Sequence, residues 1–136
     1  MEIFTQSPEG TQRLAKKIAK DVKKGGIICL YGDLGSGKTV FVQGLAKALG
    51  LKRTLTSPTF VTMKNYGNFY HLDLYRVNHQ NEIKGLDLIE LFSEPENIIS
   101  IEWAEKIKDT LPKNRFDIYF DVIDENTRKI FIFKRN

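Results

Sequence analysis

Eight consecutive residues, Gly32-Asp33-Leu34-Gly35-Ser36-Gly37-Lys38-Thr39, restrict this chain more than any other feature. They meet the spacing Gly-x-x-x-x-Gly-Lys-Thr, and each position has a mechanical reason. Glycines let a backbone curl tightly and approach an anion without Cβ clashes. The curl aims several N–H groups inward, and the positive end of a following helix adds to them. Lys38 supplies a full charge to β and γ phosphates, and the Thr39 hydroxyl is placed to ligate Mg2+. Such a loop needs a buried strand before it and a helix after it. Ile27-Ile28-Cys29-Leu30-Tyr31 is a continuous apolar run, as of a strand buried on both faces. Behind the loop, Phe41, Leu45 and Ala48-Leu49 mark the apolar face of a helix that Gly50 stops. The expected phosphate contacts run from Gly35 through Ser36, Gly37, Lys38 and Thr39 to Val40.

The rest of the chain fits an α/β domain. Residues 2–5 read as a short strand. Ser7-Pro8-Glu9 is a helix start, with a capping hydroxyl, a proline in the first turn and an acid at the positive end. That helix runs to about Lys24, with Leu14, Ile18 and Val22 on one face. Lys16, Lys17, Lys20, Lys23 and Lys24 cluster on it and read as a solvated face; an RNA-facing patch is the alternative. Strands are expected from Thr59 to Tyr66 and from Phe69 to Arg76, with Gly67-Asn68 as a two-residue hairpin turn. The sheet is therefore mixed rather than purely parallel. Short helical pieces are expected at about 80–93. Ile98-Ile99-Ser100-Ile101 is another buried strand, ending at Glu102-Trp103, and a short helix runs to Leu111 before Pro112. Phe116 to Ile123 and Lys129 to Lys134 form a closing hairpin around Asp124-Glu125-Asn126-Thr127.

At 136 residues this is the size of one domain, and a composition of 41% hydrophobic and 28% charged residues is that of a soluble globule. No apolar run approaches the roughly 20 residues that span a bilayer, and Met1-Glu2-Ile3-Phe4 lacks the order of a signal peptide. Cys29 is the single cysteine, so no internal disulfide forms; it reads as a small core residue. A cytosolic location is expected. The net charge of +4 argues only weakly for a nucleic-acid partner.

Magnesium on a nucleotide needs a carboxylate from a neighbouring strand end. Glu102, at the end of the 98–101 run, and Asp73, within Phe69 to Arg76, both qualify, and the residues leave open which is the direct ligand. Thr59 reads equally as a switch-type threonine near the metal or as a plain strand start. His71 reads as packing in the hairpin rather than as a catalytic group. Trp103 is either core or a contact for substrate or partner.

Taken together, the loop, Ser57-Pro58-Thr59-Phe60, Tyr70-His71-Leu72-Asp73-Leu74-Tyr75-Arg76 and Ile101-Glu102-Trp103 resemble, in order, the TsaE (YjeE) family. These are bacterial ATPases for the threonylcarbamoyladenosine modification of tRNA. The resemblance covers about residues 7 to 111. It implies a P-loop NTPase-like three-layer sandwich with a mixed central sheet, binding of ATP and Mg2+, and slow hydrolysis when alone. It implies action with TsaD and TsaB, with tRNA reached indirectly through that complex. Carried over by position, Lys38 binds phosphate, Thr39 and Glu102 hold Mg2+, Asp73 assists hydrolysis and Thr59 lies close to the metal. Trp103 lies near the site or the partner surface, and the segment around Ser7 approaches the nucleotide.

Other readings compete. A small-molecule P-loop kinase is supported equally by the loop, but the chain has no arginine-rich lid segment. A GTPase-like switch lacks its Asn-Lys-x-Asp guanine motif. A tRNA-binding protein acting through the lysine-rich helix would bind with a steep salt dependence.

Overall fold

The computed structural model describes residues 1–51, 63–78 and 87–136. The expected Ser57-Pro58 break, Thr59 and the start of its strand lie outside the described residues, as does most of the helical stretch before Asp87. The elements are β1 (Glu2–Thr5), α1 (Pro8–Val22), β2 (Gly26–Tyr31), α2 (Lys38–Ala48), β3 (Met63–Tyr66), β4 (Phe69–Asp73), α3 (Leu88–Ser93), β5 (Ile98–Glu102), a 3-10 segment (Ala104–Thr110), β6 (Arg115–Val122) and β7 (Arg128–Arg135).

Among the described residues the sheet has seven strands, in the order β1-β7-β6-β2-β5-β4-β3. β6, β2, β5 and β4 are parallel. The two antiparallel hairpins, β3 with β4 and β6 with β7, and the β1–β7 pair complete it. The mixed α/β sheet is thus as expected, and its cause is visible. Gly67 at φ 64° turns the chain in two residues between Tyr66 and Phe69, too short for any parallel crossover. β2 lies between β5 and β6, at the middle of the parallel part, so the loop that follows it opens at the carboxyl ends of three neighbouring strands. In open α/β sheets that is where ligands bind.

Helices cover the sheet on both sides. On one face α1 and α2 pack Leu14, Ile18, Val22, Phe41 and Leu45 onto Ile28, Leu30, Ile118, Phe120 and Ile130. On the other, Ala104 and Ile107 of the 3-10 segment and Leu88 of α3 meet Cys29, Leu72, Ile99 and Ile101. Cys29 is fully buried, as its apolar run implied, and burial pushes its thiol up to about 12, so it is no nucleophile at neutral pH. α1 begins as its sequence dictates: Ser7 is the N-cap, its Oγ takes the Gly10 N–H at 3.0 Å, and Pro8 follows. Lys16, Lys17, Lys20, Lys23 and Lys24 are all exposed. β4 stops at Asp73 rather than running on to Arg76, because the Asp73 side chain takes the Tyr75 N–H at 3.0 Å and folds the next residues into a turn.

α1 and α2 approach closely at Gly44, where a Cβ would lie 2.8 Å from Gln12 Cα. Gly44→Ala sets a helix-propensity gain of about 1 kcal/mol against overpacking that costs about 1–3 kcal/mol. The backbone contact cannot yield as a flexible side chain would, so the second term wins. The expected result is a lower urea midpoint with an unchanged slope; a midpoint at or above that of the parent chain would refute it.

Candidate nucleotide site

The geometry of the loop after β2 suits an anion. Gly32, Gly35 and Gly37 have φ of 150°, 77° and 109°, the left-handed region that other residues avoid. Ser36 N–H closes onto Asp33 O at 3.1 Å, which tightens the curl. Gly37 caps α2 with no side-chain hydrogen bond, so no side chain of the cap competes for the first N–H groups of the helix. Ser36 Oγ is buried without a hydrogen-bond partner among the described residues. A buried hydroxyl in that condition is costly unless something polar meets it. Opposite Gly35 a Cβ would meet nothing within 4 Å, so the loop is open on that side. Val40 is half-buried in the first turn of α2.

Lys38 is only 4% exposed, and its Nζ donates to the Gly32 carbonyl at the start of the loop. The ammonium also lies 3.9 Å from the centroid of the Trp103 ring. Burial pulls the Lys38 pKa below the usual lysine range, while Glu102, Glu105, Asp73 and Asp33 push the other way. Trp103 pays for its place: its φ of 63° is left-handed and strained for a residue with a Cβ. It is held by its own N–H on Leu30 O at 3.3 Å and by the Tyr75 ring at 5.3 Å between centroids. Tyr75 is in turn tied down by Lys106, whose Nζ donates to the Tyr75 carbonyl.

The strand register assembles the acids. Glu102 is level with Leu30 on one side and with Asp73 on the other, so both carboxylates stand at the carboxyl edge beside the loop. Thr39 Oγ1 and Glu102 Oε1 are 3.4 Å apart. Glu102 is buried and its other oxygen, Oε2, is 2.9 Å from His71 Nε2. Asp73 is half-buried. No three His, Cys, Asp or Glu side chains converge into a metal cage among the described residues. A hydroxyl beside one carboxylate instead supplies two oxygen ligands that could hold Mg2+ together with phosphate and water. The orphaned Ser36 hydroxyl, the uncapped helix start and the Thr39–Glu102 pair all fit a magnesium nucleotide.

A family model described as "Threonylcarbamoyl adenosine biosynthesis protein TsaE" matches residues 5–130. The chain belongs to the TsaE family. The tRNA threonylcarbamoyladenosine biosynthesis protein TsaE of Bacillus subtilis strain 168 is 38% identical over 93% of this chain and 80% of that protein. The protein of the same description from Aquifex aeolicus strain VF5 is 37% identical over 98% of this chain and 96% of its own length. The crystal structure of Bacillus subtilis YdiB superposes with a TM-score of 0.81 at 32% identity, covering 100% of this chain and 86% of that one. These matches place the chain in a family of tRNA threonylcarbamoyladenosine biosynthesis and bear out the three-layer fold that the TsaE resemblance implied.

In this TsaE-family chain, Lys38, Thr39 and Glu102 meet in one place, with Asp73 level with Glu102 and Trp103 beneath the lysine. Ser7 is engaged locally, as the cap of α1. Thr59 lies outside the described residues. Two contacts were not legible in the sequence. Arg128 of β7 binds the turn carbonyls of Asp124 and Glu125 at 2.8 and 3.3 Å and reaches Gly35 O at 3.4 Å, tying the phosphate loop to the closing hairpin. No local pattern announces it. His71 touches Glu102; the two-residue spacing puts His71 and Asp73 on one strand face, but only the β4–β5 register brings Glu102 to it.

Proposed function

We propose that this protein binds ATP with Mg2+ and hydrolyses it, slowly when alone. In the cytoplasm it acts with TsaD and TsaB in the complex that installs threonylcarbamoyladenosine beside the tRNA anticodon. The observation that carries this reading is the pairing of Thr39 with Glu102 at the mouth of an open phosphate loop, in a chain of the TsaE family. Lys38 and the loop N–H groups neutralise the β and γ phosphates. Thr39 Oγ1 and the Glu102 carboxylate hold the metal. When bound, Mg2+ would supply positive charge and a template for the transferred phosphate. Asp73 orients a water and accepts its proton as the oxygen attacks the γ-phosphorus, with ADP and phosphate as products. Most of the rate in such a site comes from positioning and charge stabilisation. Among the described residues no helix is long and apolar enough to cross a membrane.

The test is ATP turnover with and without purified TsaD and TsaB, with Lys38→Ala as control. The expected result is turnover that changes when the partners bind and disappears in the variant. Turnover indifferent to the partners would keep the loop chemistry but remove the partnership, and would turn the search towards a phosphate-accepting metabolite.

A further inference from the structure

The layer that β4 and β5 present to α1 and α2 is apolar at its lower end and polar at its upper end. Phe69 pairs with Ile98, His71 with Ser100, and Asp73 with Glu102, each pair level across the parallel ladder. Phe69, Ile98, His71, Ser100 and Glu102 are all buried. A His–Ser–Glu wedge inside a packed layer is costly to bury compared with apolar residues of the same volume. Packing alone therefore gives no reason for it.

The hydrogen bonds do. His71 Nδ1 is 2.8 Å from Ser100 Oγ, and Nε2 is 2.9 Å from Glu102 Oε2. An ionised carboxylate only accepts, so Nε2–H is the donor. Both ring nitrogens are committed, which leaves neither as a metal ligand. The ring fixes one oxygen of Glu102, while the other, Oε1, is the one that faces Thr39. We propose that His71 is a positioning residue: seated by Ser100, it grips Glu102 Oε2 so that Oε1 is presented beside Thr39 for Mg2+. This rests on the nucleotide–metal reading above. It follows a general pattern in which hydrogen-bonded partners behind a metal ligand set its orientation, and their loss costs about 10–100-fold in metal affinity.

Two substitutions separate positioning from bulk. In His71→Gln the side-chain amide nitrogen reaches towards the place of Nε2; in His71→Asn it reaches only as far as Nδ1, on the Ser100 side. The experiment titrates Mg2+ into each protein with a non-hydrolysable ATP analogue and follows the analogue's binding by calorimetry. The same affinity is then measured in EDTA. His71→Asn is expected to raise the half-saturating Mg2+ about 10–100-fold with the EDTA affinity unchanged, and His71→Gln to recover part of that shift. An unchanged Mg2+ midpoint in His71→Asn, or equal losses with and without the metal, overturns the proposal. Ser100→Ala removes only the seat of the ring and is expected to shift the midpoint in the same direction by less. Should His71→Asn fail to fold, this variant decides, and an unchanged midpoint in it is again fatal to the idea. If the parent protein shows no Mg2+ dependence, the metal reading itself is wrong, an outcome distinct from a His71 variant that behaves like its parent.

Discussion

Lys38→Ala is expected to abolish measurable nucleotide binding and turnover, a loss of at least about 100-fold. The ammonium is buried at the loop, and no other lysine or arginine is described in contact with the same loop carbonyl, Gly32 O. Its removal leaves the phosphates to the loop N–H dipoles and to the metal that Thr39 and Glu102 would hold. The stability of a variant that drops only the charge is expected to move the other way. Burial lowers the Lys38 pKa, so the folded state holds this cation less comfortably than the unfolded chain does. Between the folded value and the usual value of 10.5 the unfolded chain binds more protons, and stability rises with pH across that window. Below the folded value the penalty is fully present. Lys38→Met, which keeps the buried stem and drops the charge, is therefore expected to melt no lower than the parent while binding no nucleotide. A thermal melt beside a calorimetric titration checks both. A variant that still binds ATP would remove the lysine from the site, and one that melts well below the parent would show the ammonium to be a net structural contact.

Asp73→Asn is expected to keep nucleotide affinity and lose hydrolysis by about 10²–10⁴-fold, the usual contribution of a placed general base. Asparagine preserves the acceptor for the Tyr75 N–H, so the turn after β4 survives. What it removes is the capacity to take a proton. Asp73 is one strand over from Glu102, a lateral step of about 4.8 Å, and level with it. That is close enough to serve the same phosphate end without sharing Glu102's burial. Single-turnover hydrolysis beside equilibrium binding checks this. Equal turnover in variant and parent would exclude Asp73 from the chemistry, and a parallel loss of binding would make it a metal ligand instead.

The strand, loop and helix around Lys38 were readable in the chain because their signals are local. A buried run, glycines at set intervals and an apolar helix face all fall within a few turns of one another, and backbone sterics leave such a segment few alternatives. The two hairpins were readable for the same reason, since Gly67-Asn68 and Asp124 to Thr127 specify their turns from within. The site's second half was not readable in this way. Glu102 and Asp73 are identifiable as acids on strands, yet only the register of three parallel strands, joined by long crossovers, decides that they stand level with the loop. A shift of one residue would have turned both to the opposite face. The same holds for the groups that hold these acids and the lysine in place. His71 on Glu102, Trp103 under Lys38 and Arg128 on Gly35 join residues far apart in the chain. Their periodicity is that of ordinary strand and turn residues, and their partners are chosen by packing. The sequence carried the identity of the chemical groups, and folding carried the distances between them, because side-chain contact across a parallel sheet depends on pairings that no local pattern encodes.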